Sequence, residues 1–328
     1  TCEGYRNKAQ FPVAPGKNGP IAGFFKKGTH EVVEIAHCRI QPDCADAAKD
    51  AVLEYMKKYA VSAYDETKHA GLVRHIYVRH AAATGEVMVC VVANCEKLPR
   101  EDALAALLQA RVPGLKSVIL NTNTRAGNAI LGEKQRTIWG ADAIEDVLCG
   151  LRFRISPKSF YQVNRAQAEV LYRKALEAAN LTGQERVLDL YCGAGTITLA
   201  LAEHAKTAIG VEIVPEAIEN AKRNALRNGM ENTEFFCADA GQAAQRLAKR
   251  GIDVLVVDPP RKGLDATARD AILKMQPPKV VYVSCDPATL ARDVARLREK
   301  GYAAKKAHCF DLFPRCAHVE TVLLLEKA

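Results

Sequence analysis

The chain has 328 residues, 48% of them hydrophobic, and a formal net charge of +8. That length suggests about two domains, each large enough to bury a core. No apolar run approaches the roughly 18 residues a membrane helix needs, and nothing at the start resembles a secretory leader, so neither a membrane-embedded nor a secreted protein is expected.

The positive surplus is +2 over residues 1–150 and +6 over residues 151–328. A polyanionic partner is compatible with it. There are 11 cysteines and no C-x-x-C pair. An odd count without a leader points to a reducing compartment, hence the cytoplasm. Cys90, Cys149 and Cys237 lie in apolar, strand-like contexts, where a free cysteine behaves as a small hydrophobe. The opening Thr1-Cys2-Glu3-Gly4 lacks an initiator Met, which suggests that the natural start lies upstream.

Residues 1–154 read as a smaller α+β domain. Strands are predicted over Tyr5–Val13 and Gly19–Phe25, broken by Pro15-Gly16-Lys17-Asn18-Gly19. Ala45–Tyr59 is a predicted helix, with Ala48, Val52, Tyr55 and Met56 at helical spacing. Leu72–Arg79 and Glu86–Ala93 form a predicted hairpin across Ala83-Thr84-Gly85. A helix follows over Glu101–Arg111, then strands over Val118–Asn121 and Ala143–Leu148. Residues 155–328 alternate strand and helix with short connections. That order predicts a mostly parallel, doubly wound α/β sheet with ligands at the strand carboxyl ends.

Val280 to Val283 form a β-favouring run that leads into Ser284-Cys285-Asp286-Pro287. Asp followed by Pro is a helix start, so Cys285 is expected at a strand's carboxyl end and a helix's mouth. The helix dipole there favours a thiolate, which makes Cys285 a candidate nucleophile. Asp189-Leu190-Tyr191-Cys192-Gly193-Ala194-Gly195 ends another apolar strand in a Gly-x-Gly turn, where backbone can approach a ligand closely. The full G-x-G-x-x-G is absent because position 198 is Thr, which argues against a dinucleotide site. Glu212 ends the next strand, where an acid can accept from ribose hydroxyls, so a nucleoside is the expected ligand. Asp258-Pro259-Pro260-Arg261-Lys262-Gly263 ends a fourth strand and places Asp258 over the ligand, with Arg261 and Lys262 near phosphate or a developing oxyanion. Taken alone, Phe160-Tyr161-Gln162-Val163-Asn164 reads as packing and His318 as structural. Glu320 alone reads first as a surface acid, although a carboxylate there can reach the Cys285 side.

These five motifs occur in one order, and together they resemble the RNA 5-methyluridine methyltransferases, most closely the bacterial 23S rRNA (uracil-5-)-methyltransferases. The resemblance covers nearly the whole chain. It implies a Rossmann-like sheet binding S-adenosylmethionine through Gln162, Tyr191, Glu212 and Asp258, with Cys285 as nucleophile and Glu320 as base. Thr196 stands where some relatives carry an Asn contact. Tyr5-Arg6-Asn7-Lys8 and Gly23-Phe24-Phe25-Lys26-Lys27-Gly28 resemble the family's central, RNA-recognising domain. Cys38 matches the fourth ligand of the 4Fe–4S cluster of the rRNA branch. The other three ligands and the family's N-terminal β-barrel do not appear, so a shortened chain is expected; a plain buried cysteine is the other reading. Cys2 and Cys44 match no ligand and read as structural.

The residue types fit the chemistry. Uracil C5 is a poor nucleophile until a thiolate adds to C6 and loads electron density onto C5. A base must then take the C5 proton, and a donor such as Arg261 near O4 would steady the enolate. The target base must be unstacked. The partner expected is RNA, 23S rRNA first, with no membrane and no obligatory protein partner. A tRNA uridine methyltransferase is the alternative within the same chemistry. A non-catalytic RNA-binding protein or chaperone is the alternative from another class, and Cys285 with Glu320 argues against it.

Overall fold

The structure is a computed structural model and describes residues 2–328. Contacts divide the chain into two compact units: residues 1–147 with 154–158, and residues 148–153 with 159–328.

The first unit opens with β1 (Lys8–Gly16), β2 (Gly19–Phe25) and β3 (Val32–Glu34), followed by α1 (Asp43–Lys58). Acids in its first turn (Asp43, Asp46) and bases in its last (Lys57, Lys58) complement the helix dipole. Its Ala45, Ala48, Val52, Tyr55 and Met56 face is buried. Next come β4 (Val73–His80), β5 (Val87–Ala93), α2 (Glu101–Arg111), β6 (Leu115–Thr122) and β7 (Lys134–Gly140). The seven strands form one sheet in the order β3-β2-β1-β4-β5-β6-β7. The hairpin of β4 and β5 pairs antiparallel, whereas β5 and β6 run parallel with α2 as their crossover. β3 and β7 lie at the edges and escape a reading by period: β7 is mostly exposed, so its sequence carries no apolar alternation.

β8 (Ile144–Leu148) and β9 (Leu151–Ile155) make a separate two-stranded sheet. Cys149 sits in its turn at φ 53° beside Gly150 at φ 82°, so it is a turn residue rather than a strand hydrophobe.

The second unit then alternates α3 (Arg165–Ala179), β10 (Arg186–Asp189), α4 (Thr196–Ala202), β11 (Thr207–Glu212), α5 (Pro215–Arg227), β12 (Thr233–Cys237), α6 (Ala240–Leu247), β13 (Val254–Val257), α7 (Ala266–Met275), β14 (Lys279–Ser284) and α8 (Pro287–Arg298). It closes with β15 (Tyr302–Phe310) and β16 (Glu320–Lys327). The sheet order is β12-β11-β10-β13-β14-β16-β15. Every neighbouring pair from β12 to β14 is parallel, and β16 is antiparallel to both its neighbours. Strand order reverses between β10 and β13, the crevice where such sheets bind ligands. Leu188, Ile209, Leu255, Val257, Val280 and Tyr282 are buried between the sheet and its helices. Cys237, at the end of β12, is exposed, so it does not behave as the core hydrophobe its sequence context suggests; Cys90 is fully buried. No helix among the described residues is long and apolar enough to cross a membrane.

Candidate active site

The chemistry-bearing residues gather along one rim of the second sheet. β14 is buried from Val280 to Ser284 and stops because Asp286 caps α8. The Asp286 carboxylate accepts from the Ala288 and Thr289 amides, both at 3.0 Å, and Pro287 occupies the first turn. Cys285 is therefore held, half-buried, between strand end and helix start. β16 runs antiparallel to β14 with Ser284 opposite Thr321. Cys285 directly follows Ser284 and Glu320 directly precedes Thr321, so the two flank that last pair, and the Glu320 charge acts on the Cys285 thiol. Glu320 is only 7% exposed, so it is not the surface acid that its context alone suggests.

Asp258 follows β13, the parallel neighbour of β14. Its loop is anchored from behind by Asp293 of α8, which is fully buried. The Asp293 carboxylate accepts from the Leu264 amide and the Tyr282 hydroxyl, both at 2.8 Å, and pairs with Arg292 at 2.8 Å and Arg269 at 3.3 Å. Gly263, at φ 74°, runs so close that an added Cβ would stand 2.5 Å from Asp293 Oδ2. Arg261 is exposed and donates through Nη2 to His318 Nδ1 at 2.7 Å, two residues before Glu320, so the His318 proton lies on Nε2 in this arrangement. The His318 ring meets Phe313 edge-on. Lys262 is exposed, and its carbonyl accepts from Arg292 at 2.9 Å.

On the other side of the crevice, β10 ends at Asp189 and β11 at Glu212. The Asp189 carboxylate accepts from the Thr198 hydroxyl at 2.6 Å and the Tyr191 amide at 3.3 Å. Thr198, which breaks the dinucleotide pattern, is thus the partner of a buried acid. Gly193 (φ 53°) and Gly195 (φ 84°) turn the chain; an added Cβ at Gly193 would meet open space. Glu212 accepts from the amides of Gly193 (3.2 Å), Ile213 (2.8 Å) and Val214 (3.0 Å), which ties its carboxylate to the glycine turn. The Thr196 hydroxyl shares a hydrogen bond with the Tyr172 hydroxyl at 3.1 Å. Gln162 is half-buried just before α3, where Asn164 caps the helix and donates to the Leu312 carbonyl at 3.0 Å. Phe160 in the same segment is 67% exposed.

The rim concentrates unneutralised acid. Burial first, then the charges of Glu320 and Asp189, push Asp258 up to about 8. Burial raises Glu320 to about 7 against the pull of Arg261, and raises Asp189 to about 6. The Cys285 thiol is pushed up as well, by burial and then by Glu320 and Asp258, with Arg261 pulling the other way. The helix mouth therefore does not leave Cys285 a ready thiolate in the ligand-free protein, because burial, with two nearby carboxyls added, outweighs it.

Cys38 lies in the first unit, half-buried, with its amide donating to Asp46 Oδ2 at 3.2 Å beside His37 at 2.7 Å. Among the described residues no group of three or more His, Cys, Asp or Glu could hold a metal ion. The residues present therefore do not fit a 4Fe–4S cluster. Asp293, Asp189 and Thr198 are the rim residues that sequence reasoning missed. A lone acid on the inner face of a helix was the available signal for Asp293, and it is a weak one.

A switch-point crevice with a Gly-x-Gly turn, an acid on the adjacent strand and further acids on the facing one defines a Rossmann-like, S-adenosylmethionine-dependent methyltransferase. The tRNA (uracil-5-)-methyltransferase family model matches residues 5–328, and the chain belongs to that family of RNA 5-methyluridine methyltransferases. It is 45% identical over 324 residues to an RNA methyltransferase of Halalkalibacterium halodurans, covering 98% of this chain and 71% of that one. It is 43% identical over 325 residues to one of Clostridium acetobutylicum, with 98% and 71% covered. Its structure is similar to that of the Pyrococcus abyssi tRNA (uracil-54, C5)-methyltransferase in complex with S-adenosyl-L-homocysteine. The TM-score is 0.84 at 29% identity, over 99% of this chain and 76% of that one.

Proposed function

We propose that this enzyme methylates uridine C5 in 23S rRNA through a covalent bond between Cys285 Sγ and uracil C6. The observation that supports the mechanism is the last pair of β14 and β16, Ser284 with Thr321, which Cys285 and the buried Glu320 flank, with Asp258 just past the end of the neighbouring strand. S-adenosylmethionine supplies an electrophilic methyl group on a sulfonium. Glu212 is suited to the ribose hydroxyls and Asp258 to the cationic end, with Gln162 and Tyr191 completing the contacts. Open space over Gly193 fits such an occupant.

Asp258, Glu320 and Cys285 would each favour the charged form if a cationic sulfonium were held among them, which opposes the upward shifts of the ligand-free site. The Cys285 thiolate then adds to C6, and the C5=C6 electron pair moves towards O4. Arg261, steadied by His318, donates to that oxygen. C5 takes the methyl group. Glu320 removes the C5 proton, the C5=C6 bond re-forms and the thiolate departs.

The test is a 5-fluorouridine RNA with S-adenosylmethionine. Fluorine at C5 cannot leave as a proton, so the adduct accumulates and maps to Cys285 by mass spectrometry. Absence of an adduct, or its persistence in Cys285→Ala, overturns the mechanism. The choice of 23S rRNA rests on the resemblance of the motif series to that branch, and not on Cys38, whose surroundings do not fit a cluster. The tRNA reading is favoured by the substrate named for the Pyrococcus abyssi relative. Mapping 5-methyluridine in rRNA and tRNA from cells lacking this protein separates the two.

A further inference from the structure

We propose that the first unit holds a second nucleotide site, a pocket that takes one unpaired guanine of the RNA and is distinct from the rim that takes the target uridine. The proposal rests on the reading of this protein as an enzyme acting on RNA. The pocket is a cavity of about 370 Å³ lined by His30, Tyr64, Glu66, His69, Arg74 and Asn128 among others. That volume falls within the range of small-molecule sites, about 300–1,000 Å³.

Arg74 is the group that marks it. The residue is only 3% exposed, yet its Nε has no hydrogen-bond partner. Its Nη1 donates to the carbonyls of Asn123 (2.9 Å) and Arg125 (2.7 Å), and its guanidinium lies 4.3 Å over the Tyr64 ring. The guanidinium is therefore held in place over the ring with Nη1 engaged and Nε shielded and unpartnered, which leaves Nη2 as the donor for a ligand at the cavity wall. Tyr64 in turn shares a hydrogen bond with His69 Nδ1 at 3.1 Å.

The walls are pinned by local hydrogen bonds. Asp65 Oδ1 accepts from the amides of Thr67 (2.9 Å) and Lys68 (3.1 Å), and Asp65 bridges to Ala70. Gly71, at φ 103°, passes too close to the Ala63 carbonyl for any Cβ. On the opposite side, the Asn123 amide donates to the carbonyls of Ala129 (2.6 Å) and Ile130 (3.0 Å), which shapes the loop carrying Asn128. The mouth carries Phe25, 39% exposed and 5.4 Å from the His30 ring, followed by the exposed Lys26 and Lys27. An aromatic face beside lysines is the arrangement on which single-stranded bases stack while the backbone is held.

The lining offers donors and an acceptor together. Arg74 suits an acceptor edge such as guanine O6 and N7. The Glu66 carboxylate, which now bonds His30 Nδ1, suits the guanine N1 and N2 hydrogens. Adenine lacks the carbonyl. A bare phosphate needs only cations and is opposed by Glu66.

The experiment titrates the full chain, saturated with S-adenosylhomocysteine to fill the methyl-donor site, with guanosine, adenosine and uridine monophosphates and inorganic phosphate. Guanosine monophosphate is expected to bind about tenfold tighter than the other three, the order of discrimination one good bidentate contact gives. Glu66→Gln removes that preference, and the surface change Phe25→Ala weakens all three nucleotides, so the test survives if one variant fails to fold. Equal binding of phosphate, equal binding of the three nucleotides, or no effect of either variant overturns the proposal. Cys285→Ala is expected to keep guanosine monophosphate affinity while losing the fluorouridine adduct. A wild-type chain that binds guanosine monophosphate but traps no adduct would sink the catalytic reading and leave this one standing.

Discussion

The two units treat their buried charges differently. The first buries Lys49, Arg74, Arg79 and His75, and satisfies the long cations largely with carbonyl oxygens. Lys49 Nζ donates to the Ile35 and Ala36 carbonyls, both at 2.8 Å, and lies within ion-pair range of Asp46 and Asp50. The second unit buries Asp189 and Glu320 and half-buries Asp258 towards one crevice and, among the described residues, gives Asp258 and Glu320 no ion pair, whereas its buried Asp293 behind the loop is paired with Arg292 and Arg269. Where a buried charge is paired, removing its partner costs stability; where it is unpaired, the group holds or sheds a proton instead. The first arrangement stabilises a fold. The second keeps a site short of positive charge, which suits a sulfonium methyl donor and a base that must take a proton.

The largest effects are expected at the unpaired rim. Cys285→Ala abolishes turnover, and Glu320→Gln lowers it by about 10²–10⁴-fold while covalent enzyme–RNA accumulates, because the base acts only after the adduct has formed. The same Glu320, at about 7, makes kcat/KM fall as pH drops below that value, and the residual activity of Glu320→Gln loses this limb. Gel-shift and mass analysis at several pH values check both. Unchanged turnover in Glu320→Gln removes it from the site.

Next come two substitutions whose signs should be opposite. Lys49→Met strands two carbonyls and the Asp46 carboxylate, so urea unfolding should show a loss of about 3 kcal/mol. Asp258→Asn should stabilise the ligand-free chain. Its folded pKa is raised from 3.8 to about 8, so the folded state keeps a proton the unfolded state gives up. The stability tied to that proton is fully present below about pH 4 and is lost as pH rises through 8. Asn has no proton to lose, so the variant's Tm should exceed the wild type's by about 2–4 °C at pH 8 and match it near pH 4. Added S-adenosylmethionine should raise the variant's Tm less than the wild type's. A destabilised Asp258→Asn at pH 8 would break the contrast between the units.

Much of the rim was legible because its motifs are contiguous and sit where strands end. Ser284-Cys285-Asp286-Pro287 reads as strand, nucleophile and helix cap from neighbours alone, and the Gly193–Gly195 turn is equally local. What the sequence hides is set by distant contacts. Glu320 follows an exposed stretch, and only its pairing with β14 buries it. The upward push on Cys285 comes from burial first and then from carboxyls 27 and 35 positions away. Asp293 looks like any helix acid until the Leu264 and Tyr282 groups converge on it. In the first unit, β4 reads Val-Arg-His-Ile-Tyr-Val-Arg-His, with polar side chains on both faces by alternation, yet Arg74, His75 and Arg79 are all buried. Carbonyls of residues 123 and 125 receive Arg74 and that of residue 157 receives Arg79, and none is foreshadowed within the strand.

The smallest expected effect concerns Cys38, whose thiol belongs to neither pattern. Its amide is tied to Asp46, but that bond uses the backbone and survives a side-chain change. Cys38→Ser should therefore shift the stability of this chain by no more than about 0.5 kcal/mol, the range of a substitution that breaks no buried contact. Thermal unfolding under anaerobic conditions, with and without added iron and sulfide, checks it. A loss of several kcal/mol seen only with iron and sulfide present would mean that thiols beyond the local group reach Cys38. The first unit would then be held by a metal as well as by its carbonyl-bound cations, and the case for the rRNA branch would gain a direct observation.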